Sequence, residues 1–465
     1  MADLISKIVD FVVDTKYDDL SPEVIEYAKK HILDTLGIIV AATSTDGIKP
    51  AVDLARRWGG APESSIPVFG GKVPAPSAAF AIGPMARALD FGGVHTEANE
   101  HNTEYVLPAA LPVAEQHRCS GKELIAAVAL GNEAMVRVGA SVHSVTPITT
   151  VKTHSFHRVW GPVAAVGKLA QLDGEAMMNA MGLAYTQGGG DGQMFIDCVL
   201  KCRVQHGFVA DTAIKCVLLA QEGVTGTQNI LEGDKGFYAA FFPGTKPAVE
   251  WITRGLQEKR FEAVNTRIKA YPSCTCTHSA IETALRCVRT NRIAPQDIDR
   301  IEVGVNTVGY KAVCEPEEHR YNPRTFIDGQ FSIPYTVATA VVTGSVFIDD
   351  FTEEAIRRPE IRDMMTRLKV NIDPDIEASE PLNCFAGARV TIRTRGGDEY
   401  SDRIDHVKGT PENPMSFDEV VDKFRRCMPF SAKPLPAKNV DEVADMVRDL
   451  EHVPDVSLLA ERLTT

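Results

Sequence analysis

The sequence predicts a mainly α-helical protein: a large all-helical domain containing both termini, with a smaller α+β domain inserted into it. Three observations carry that expectation. Through most of residues 1–265 apolar side chains recur at helical spacing. After about residue 266 apolar and polar side chains alternate, as they do along a half-buried strand. Helix signals return after residue 405, which brings the C-terminal segment back to the first domain. The expected boundaries are 1–265, 266–405 and 406–465.

The elements follow in chain order. Residues 1–13 carry Asp3, Lys7 and Asp10 among apolar side chains and read as an amphipathic helix, not a secretion signal. Ser21-Pro22-Glu23 is a helix start: a capping hydroxyl, proline at the first helical position, and an acid near the positive end of the dipole. Ile25, Ala28, Ile32, Leu36 and Ile39 then keep the helical period. Ser120 and Glu123 read as a capping box, Asp173 as the next cap, and Gly223 as the stop of a helix over 213–222. The small residues of 163–170 predict close helix approach. In the second domain 300–307, 367–373 and 388–394 alternate as strands, and Gly396-Gly397 turns into a strand over 399–404, a hairpin. Helices are expected at 279–290 and 334–342. Ser416 to Glu419 and Asn439 to Glu442 read as two further capping boxes.

Composition narrows the function. The 465 residues are 44% hydrophobic and 24% charged, ordinary for a soluble globular protein. No apolar run is expected to reach the roughly 18–20 residues of a membrane span. A net charge of −13 argues against nucleic-acid binding, which needs basic surface, but not against a small anionic substrate in a local basic pocket. The ten cysteines are scattered and are expected as free thiols in a reducing, cytoplasmic setting. Cys274 and Cys276 form a close pair near His278, but no second pair has zinc-like spacing, so no metal is expected. Cys198 and Cys202 share a helix face and are expected to pack.

The chemistry-bearing side chains fall in polar breaks between helices. Asp90, His95 and His101 lie in 90–105, His154 and His157 in 152–160, Lys201, Arg203, Gln205 and His206 in 201–207, and His278 in 271–278. Imidazole gives and takes protons near neutrality, so convergence of these breaks on one cleft would make a proton-transfer enzyme. Lys201 and Arg203 can hold carboxylates, Arg in bidentate geometry. His154 and His157 precede a helix, whose free N–H groups attract anions. The plainer alternatives are a solvated loop, two surface histidines and a charged helix face. The glycines of 188–192 are too irregular for a phosphate loop, and no serine elbow, HExxH or dinucleotide fingerprint competes.

These segments resemble the MmgE/PrpD family, which includes 2-methylcitrate dehydratase, cis-aconitate decarboxylase and iminodisuccinate epimerase. The similar stretches run in order through nearly the whole chain: HILDTLGIIVAA, ARALDF before the histidine loop, VLPAALPVAE, SFHRVWGPVAAVGKLAQLDG, HGFVADTAIKCVLLAQEGVTG, ILEGDKGF, YPSCTCTHSAIETAL, NPRTFIDGQFSIPYTVA and NPMSFDEVVDKF. The resemblance implies an α+β lid inserted in a helical domain, a homodimer, and an active site between the domains that needs no metal or cofactor. It places Asp90, His101, His157, His278 and Tyr335 on catalytic positions. Two departures stand out. Cys202, between Lys201 and Arg203, occupies the place of a lysine common in the family. Where well-known members read Asp-Phe-Asp-Asp-Thr, this chain reads Asp90-Phe91-Gly92-Gly93-Val94.

The expected function is a cofactor-independent lyase of dehydratase type, acting on a small di- or tricarboxylate after proton abstraction next to a carboxylate. The alternatives are an epimerase of an iminodisuccinate-like substrate, a decarboxylase of a cis-aconitate-like one, and, from another class, a catalytically lapsed polycarboxylate-binding protein. Lys201, Arg203, His95, His154 and Gln205 are the expected substrate-binding residues. His157, at the positive end of a helix, is the expected base. His101, flanked by Glu100 and Glu104, is the expected acid. The expected partner is the polycarboxylate alone, without nucleic acid or membrane. The homodimer is expected to form through the apolar stretches 109–115 and 124–138.

Overall fold

The computed structural model describes residues 3–145, 156–191, 193–197, 199–379 and 386–464. The first segment forms α1 (Ile5–Asp14) and buries Ile5, Ile8, Val9, Phe11 and Val12 along one side. The Ser21 hydroxyl accepts from the Val24 amide and opens α2 (Pro22–Ala42). Between α3 (Ile48–Trp58) and α4 (Ala75–Arg87) runs a small antiparallel pair, β1 (Ser64–Ser65) and β2 (Lys72–Val73). The helical pattern of 1–265 gives no sign of it, because two-residue strands leave no period to read. Then follow α5 (Asn102–Gln116), α6 (Gly121–His143) behind its Ser120–Glu123 capping box, and α7 (Trp160–Leu169). Asp173 caps α8 (Gly174–Ala184) through the Ala176 amide; α9 (Gln193–Ile196) and α10 (Lys201–Gln221) come next, with left-handed Gly223 just beyond.

Small residues let these helices touch backbone to backbone. A Cβ on Gly83 of α4 would sit 2.4 Å from the Gly207 nitrogen of α10, and one on Gly207 would sit 2.4 Å from the Phe80 carbonyl oxygen. At the α6–α7 crossing a Cβ on Gly131 would lie 2.8 Å from the Gly161 oxygen and from the Ala165 methyl. Helix propensity favours Ala over Gly by about 1 kcal/mol, whereas overpacking a close contact costs about 1–3 kcal/mol or more. Gly207→Ala should therefore lower the urea midpoint of unfolding, and a raised midpoint would show that α4 and α10 do not cross this closely.

The chain divides into two compact units: unit 1, Met1–Ala88, Gly92–Ile268 and Met415–Thr465; and unit 2, Leu89–Phe91 and Lys269–Pro414. Two expectations fail in unit 1. The helix α6 is long and apolar enough to cross a membrane by length and composition alone, although its apolar stretch is wholly buried inside the fold. Residues 109–115 and 124–138 are likewise buried, so they are core and not surplus interface. The exposed large apolar side chains include Phe208, Leu218 and Leu219 of α10, and Trp58 at the end of α3. Near the C-terminus Ser416 and Glu419 form the expected capping box of Phe417–Cys427. The second box does not form. The helix Ala437–Arg448 starts before Asn439, behind Pro436, and Asn439 donates instead to the Arg462 carbonyl.

Unit 2 is built on a four-stranded mixed sheet in the order β4 (Leu368–Ile372), β3 (Ile298–Val305), β5 (Ala388–Thr394), β6 (Glu399–Ile404). The pair β3–β4 is parallel; β3–β5 and β5–β6 are antiparallel, the latter across the Gly396-Gly397 turn. Alternation puts Ile301, Val303, Val305, Leu368, Val370, Val390 and Ile392 into one core. The helices His278–Asn291 and Ile333–Thr343 add Ala280, Ile281, Ala284, Leu285, Val337 and Ala338 to it.

Candidate active site

The histidine loop is fastened at both ends in unit 1. Val94 exchanges backbone hydrogen bonds with Arg267, and His95 with Glu100. This tight return delivers Glu100, His101 and Glu104 to the start of α5, with the two acids four positions apart and both fully buried. Buried carboxylates need partners, and each has a set.

Glu100 forms an ion pair and hydrogen bond with His157 Nε2, and its other oxygen lies 2.7 Å from Arg158 Nε. Burial pushes the Glu100 carboxyl up, but Arg158 and His157 outweigh it and hold it at about 2. The His143 ring stands 5.4 Å from that of His157. Glu104 accepts the Gly92 N–H at 3.0 Å; His101 Nδ1 and His206 Nε2 each lie 3.6 Å from its oxygens, and Arg87 Nε 4.0 Å. Burial again opposes charge, and the surrounding imidazoles and Arg87 hold Glu104 well below the usual carboxylate range. Tyr105 joins the two sets. Its ring stacks on His206 with centroids 3.7 Å apart, and its hydroxyl accepts from Arg158 at 3.2 Å. His101 and His157 thus belong to one polar network, His101–Glu104–His206–Tyr105–Arg158–Glu100–His157. Within it the His101 side chain is 20% exposed and that of His157 is 1% exposed.

Unit 2 holds a second charged pair. Asp90 has φ +50°, a left-handed conformation costly for a residue with a side chain. It accepts from Lys269 Nζ at its carboxylate (3.0 Å) and at its carbonyl (2.8 Å). Both side chains are buried. Gln330 fixes the segment by donating to the carbonyls of Leu89 and Pro272. His278 lies edge-on to Tyr271, with Nε2 3.3 Å from the Ser273 carbonyl. The Cys274 thiol is pushed far up by its hydrogen bond with Cys276 and by burial. Tyr335 is fully buried in the unit 2 core, and its hydroxyl donates to the Asp350 carbonyl.

The remaining sequence candidates point elsewhere. Backbone groups satisfy both ring nitrogens of His95: the Ala98 amide donates to Nδ1, and Nε2 donates to the Glu262 carbonyl. Lys201 pairs with Asp191 at the surface, Arg203 donates to the Asp46 carbonyl at 2.6 Å, and Gln205 donates to the Gly189 carbonyl. His154 lies outside the described residues. Glu100 does not flank His101 as expected but pairs with His157. Sequence reading passed over Lys269, Glu100, Glu104 and Tyr105 as site members. The one signal for the two acids was their position within a short histidine loop.

Two family models and several curated relatives match the chain. Residues 6–250 match the family model described as MmgE/PrpD N-terminal domain, and residues 271–450 the MmgE/PrpD C-terminal domain. A cis-aconitate decarboxylase of Aspergillus terreus is 27% identical, over 98% of this chain and 95% of the relative. A cis-aconitate decarboxylase-like protein of Aspergillus oryzae is 25% identical, over 98% and 96%. The Homo sapiens cis-aconitate decarboxylase is 24% identical, over 96% and 92%.

Proposed function

This chain belongs to the MmgE/PrpD family, and from that premise we propose that it is a lyase that breaks a bond next to a carboxylate in a small di- or tricarboxylate. The observation that carries the proposal is the pairing of two imidazoles with two buried carboxylates in one network, His101 with Glu104 and His157 with Glu100. A carboxylate held against one ring nitrogen fixes the imidazole and leaves the other nitrogen to move a proton. Between loss of water and loss of carbon dioxide, the names of the relatives favour the second. In that reaction the C–C bond to the leaving carboxylate breaks and carbon dioxide departs. The electron pair stays on carbon, and an imidazolium supplies the proton that replaces it.

The test is incubation with cis-aconitate and related unsaturated and hydroxy di- and tricarboxylates in D₂O. Release of carbon dioxide with one deuterium gained in the product is the expected result. Loss of water, or exchange without net loss, would move the protein to the dehydratase or epimerase branch. Calorimetric binding with neither turnover nor exchange would make it a polycarboxylate-binding protein.

The proposal includes chemistry that runs without a bound metal. Glu100, His143 and His157 offer donor atoms within 4.8 Å of one another, but Arg158 already neutralises one Glu100 oxygen. Activity should survive EDTA, and elemental analysis should find no stoichiometric zinc or iron. One metal per chain, lost in Glu100→Gln, would sink this part of the proposal. The protein is also proposed to be a cytoplasmic homodimer with unit 2 as its lid. The exposed Phe208, Leu218 and Leu219 support an interface on α10. Light scattering at micromolar concentration should give twice the 50.6 kDa chain mass, not once.

A further inference from the structure

Position 92 and position 104 exclude one another as places for a side chain. The Gly92 N–H donates to Glu104 Oε1 at 3.0 Å. A Cβ built on Gly92 would lie 2.2 Å from that oxygen, 2.6 Å from Glu104 Cγ and 2.7 Å from its Cδ. A side chain at 92 would therefore occupy the volume that the Glu104 carboxylate fills. The sequence pattern that this chain otherwise resembles has an aspartate at this place, and the chain has glycine. The buried negative charge is not lost; it reaches the same spot from α5.

We infer that Glu104 replaces the carboxylate missing from position 92 and acts as the positioning residue of His101. Rotation about the His101 ring is limited by the charge facing Nδ1 at 3.6 Å. That nitrogen is buried and makes no hydrogen bond within 3.5 Å among the described residues, so the carboxylate is the charge it faces. Holding Nδ1–H toward Glu104 leaves Nε2 as the nitrogen free to take or give a proton. The other Glu104 oxygen faces His206 and Arg87, so the anion stays charged in a buried place. Gly93 has no more room than Gly92: its Cβ would meet the Arg267 carbonyl oxygen at 2.7 Å and the His31 ring at 2.8 Å. Gly92 is thus the condition for delivering a carboxylate from α5, whereas Gly93 answers to Arg267 and His31.

The inference rests on the reading that this network performs the proton transfer, and its first test needs no substrate. Long-range ¹H–¹⁵N NMR of the histidine side chains reads the tautomer of His101, with His101→Gln to assign the signal. The full-length protein should show the Nδ1–H form. Glu104→Gln should lose that preference, and the double variant Glu104→Gly with Gly92→Asp should regain it by returning the carboxylate to position 92. Turnover should follow. In Glu104→Gln kcat should fall about 10²-fold with KM changed less than about threefold, and the double variant should recover at least about tenfold of that loss. A wild-type tautomer in Glu104→Gln overturns the inference. So does a folded double variant that does not regain the tautomer. Should Glu104→Gln fail to fold, the double variant alone decides. If the tautomers behave as stated and no carboxylate is turned over, the positioning role stands and the proposed function falls.

Discussion

Acidification from pH 7 to pH 4 will remove several kcal/mol of stability from unit 1, with His31 and His206 as the main cause. Burial holds both imidazoles neutral, and their pKa values fall to about 3. An unfolded histidine titrates near 6.5. Between these values the unfolded state binds the proton and the folded state does not, so stability falls as pH falls. It is fully present above about pH 6.5 and is lost toward pH 3. Each histidine contributes a slope of about 1.4 kcal/mol per pH unit, and up to about 5 kcal/mol across the window. Glu100, held at about 2 by Arg158 and His157 against its burial, adds a further loss below about pH 4.5. The Asp34 and Glu133 carboxyls are raised by burial and act in the opposite sense. The histidine share is therefore measured by difference. In urea unfolding between pH 4 and pH 6, His31→Gln should lose one proton's worth of slope relative to the parent. Equal slopes would mean that His31 is protonated in the folded protein.

Replacing His101 should cost more activity than replacing His157. Both face a buried carboxylate, but only the His101 ring is open enough to meet a ligand. The His157 ring is enclosed by Glu100, His143 and Phe237. The sequence expectation made His157 the base and His101 the acid; the proposed decarboxylation needs only the acid. On the present proposal His101 moves the proton and His157 sets the charge of the network through Glu100. His101→Gln should lower kcat by about 10²–10⁴-fold, the range typical of a general acid or base, and abolish deuterium incorporation. His157→Gln should slow turnover while incorporation persists in the product formed. The reverse pattern would restore the sequence assignment. Losses of only a few-fold in both would place the chemistry elsewhere, with Asp90 and Lys269 next to be replaced.

Local chemistry was readable without the fold. Ser21, Ser120, Asp173 and Ser416 cap helices where their hydroxyl or carboxylate oxygens precede a helical run, because a cap needs only the next three residues. The four strands of unit 2 were readable because a half-buried strand writes its period into the chain. Asn439 misled because Pro436, three residues earlier, can begin a helix as well as a polar cap can.

The sequence by itself determined the helical class, the α+β segment, the family resemblance and the histidines as candidates for the reactive side chains. The tertiary structure alone decided which charge meets which imidazole. Glu100 and Glu104 stand beside His101 in the chain, yet Glu100 pairs with His157, 57 positions away. Asp90 finds Lys269 across 179 positions. The space beside Gly92 is filled by Glu104, 12 positions away. No spacing rule encodes such pairs. A buried carboxylate is stable only with partners that neutralise it, and packing of distant helices, not sequence neighbours, supplies them.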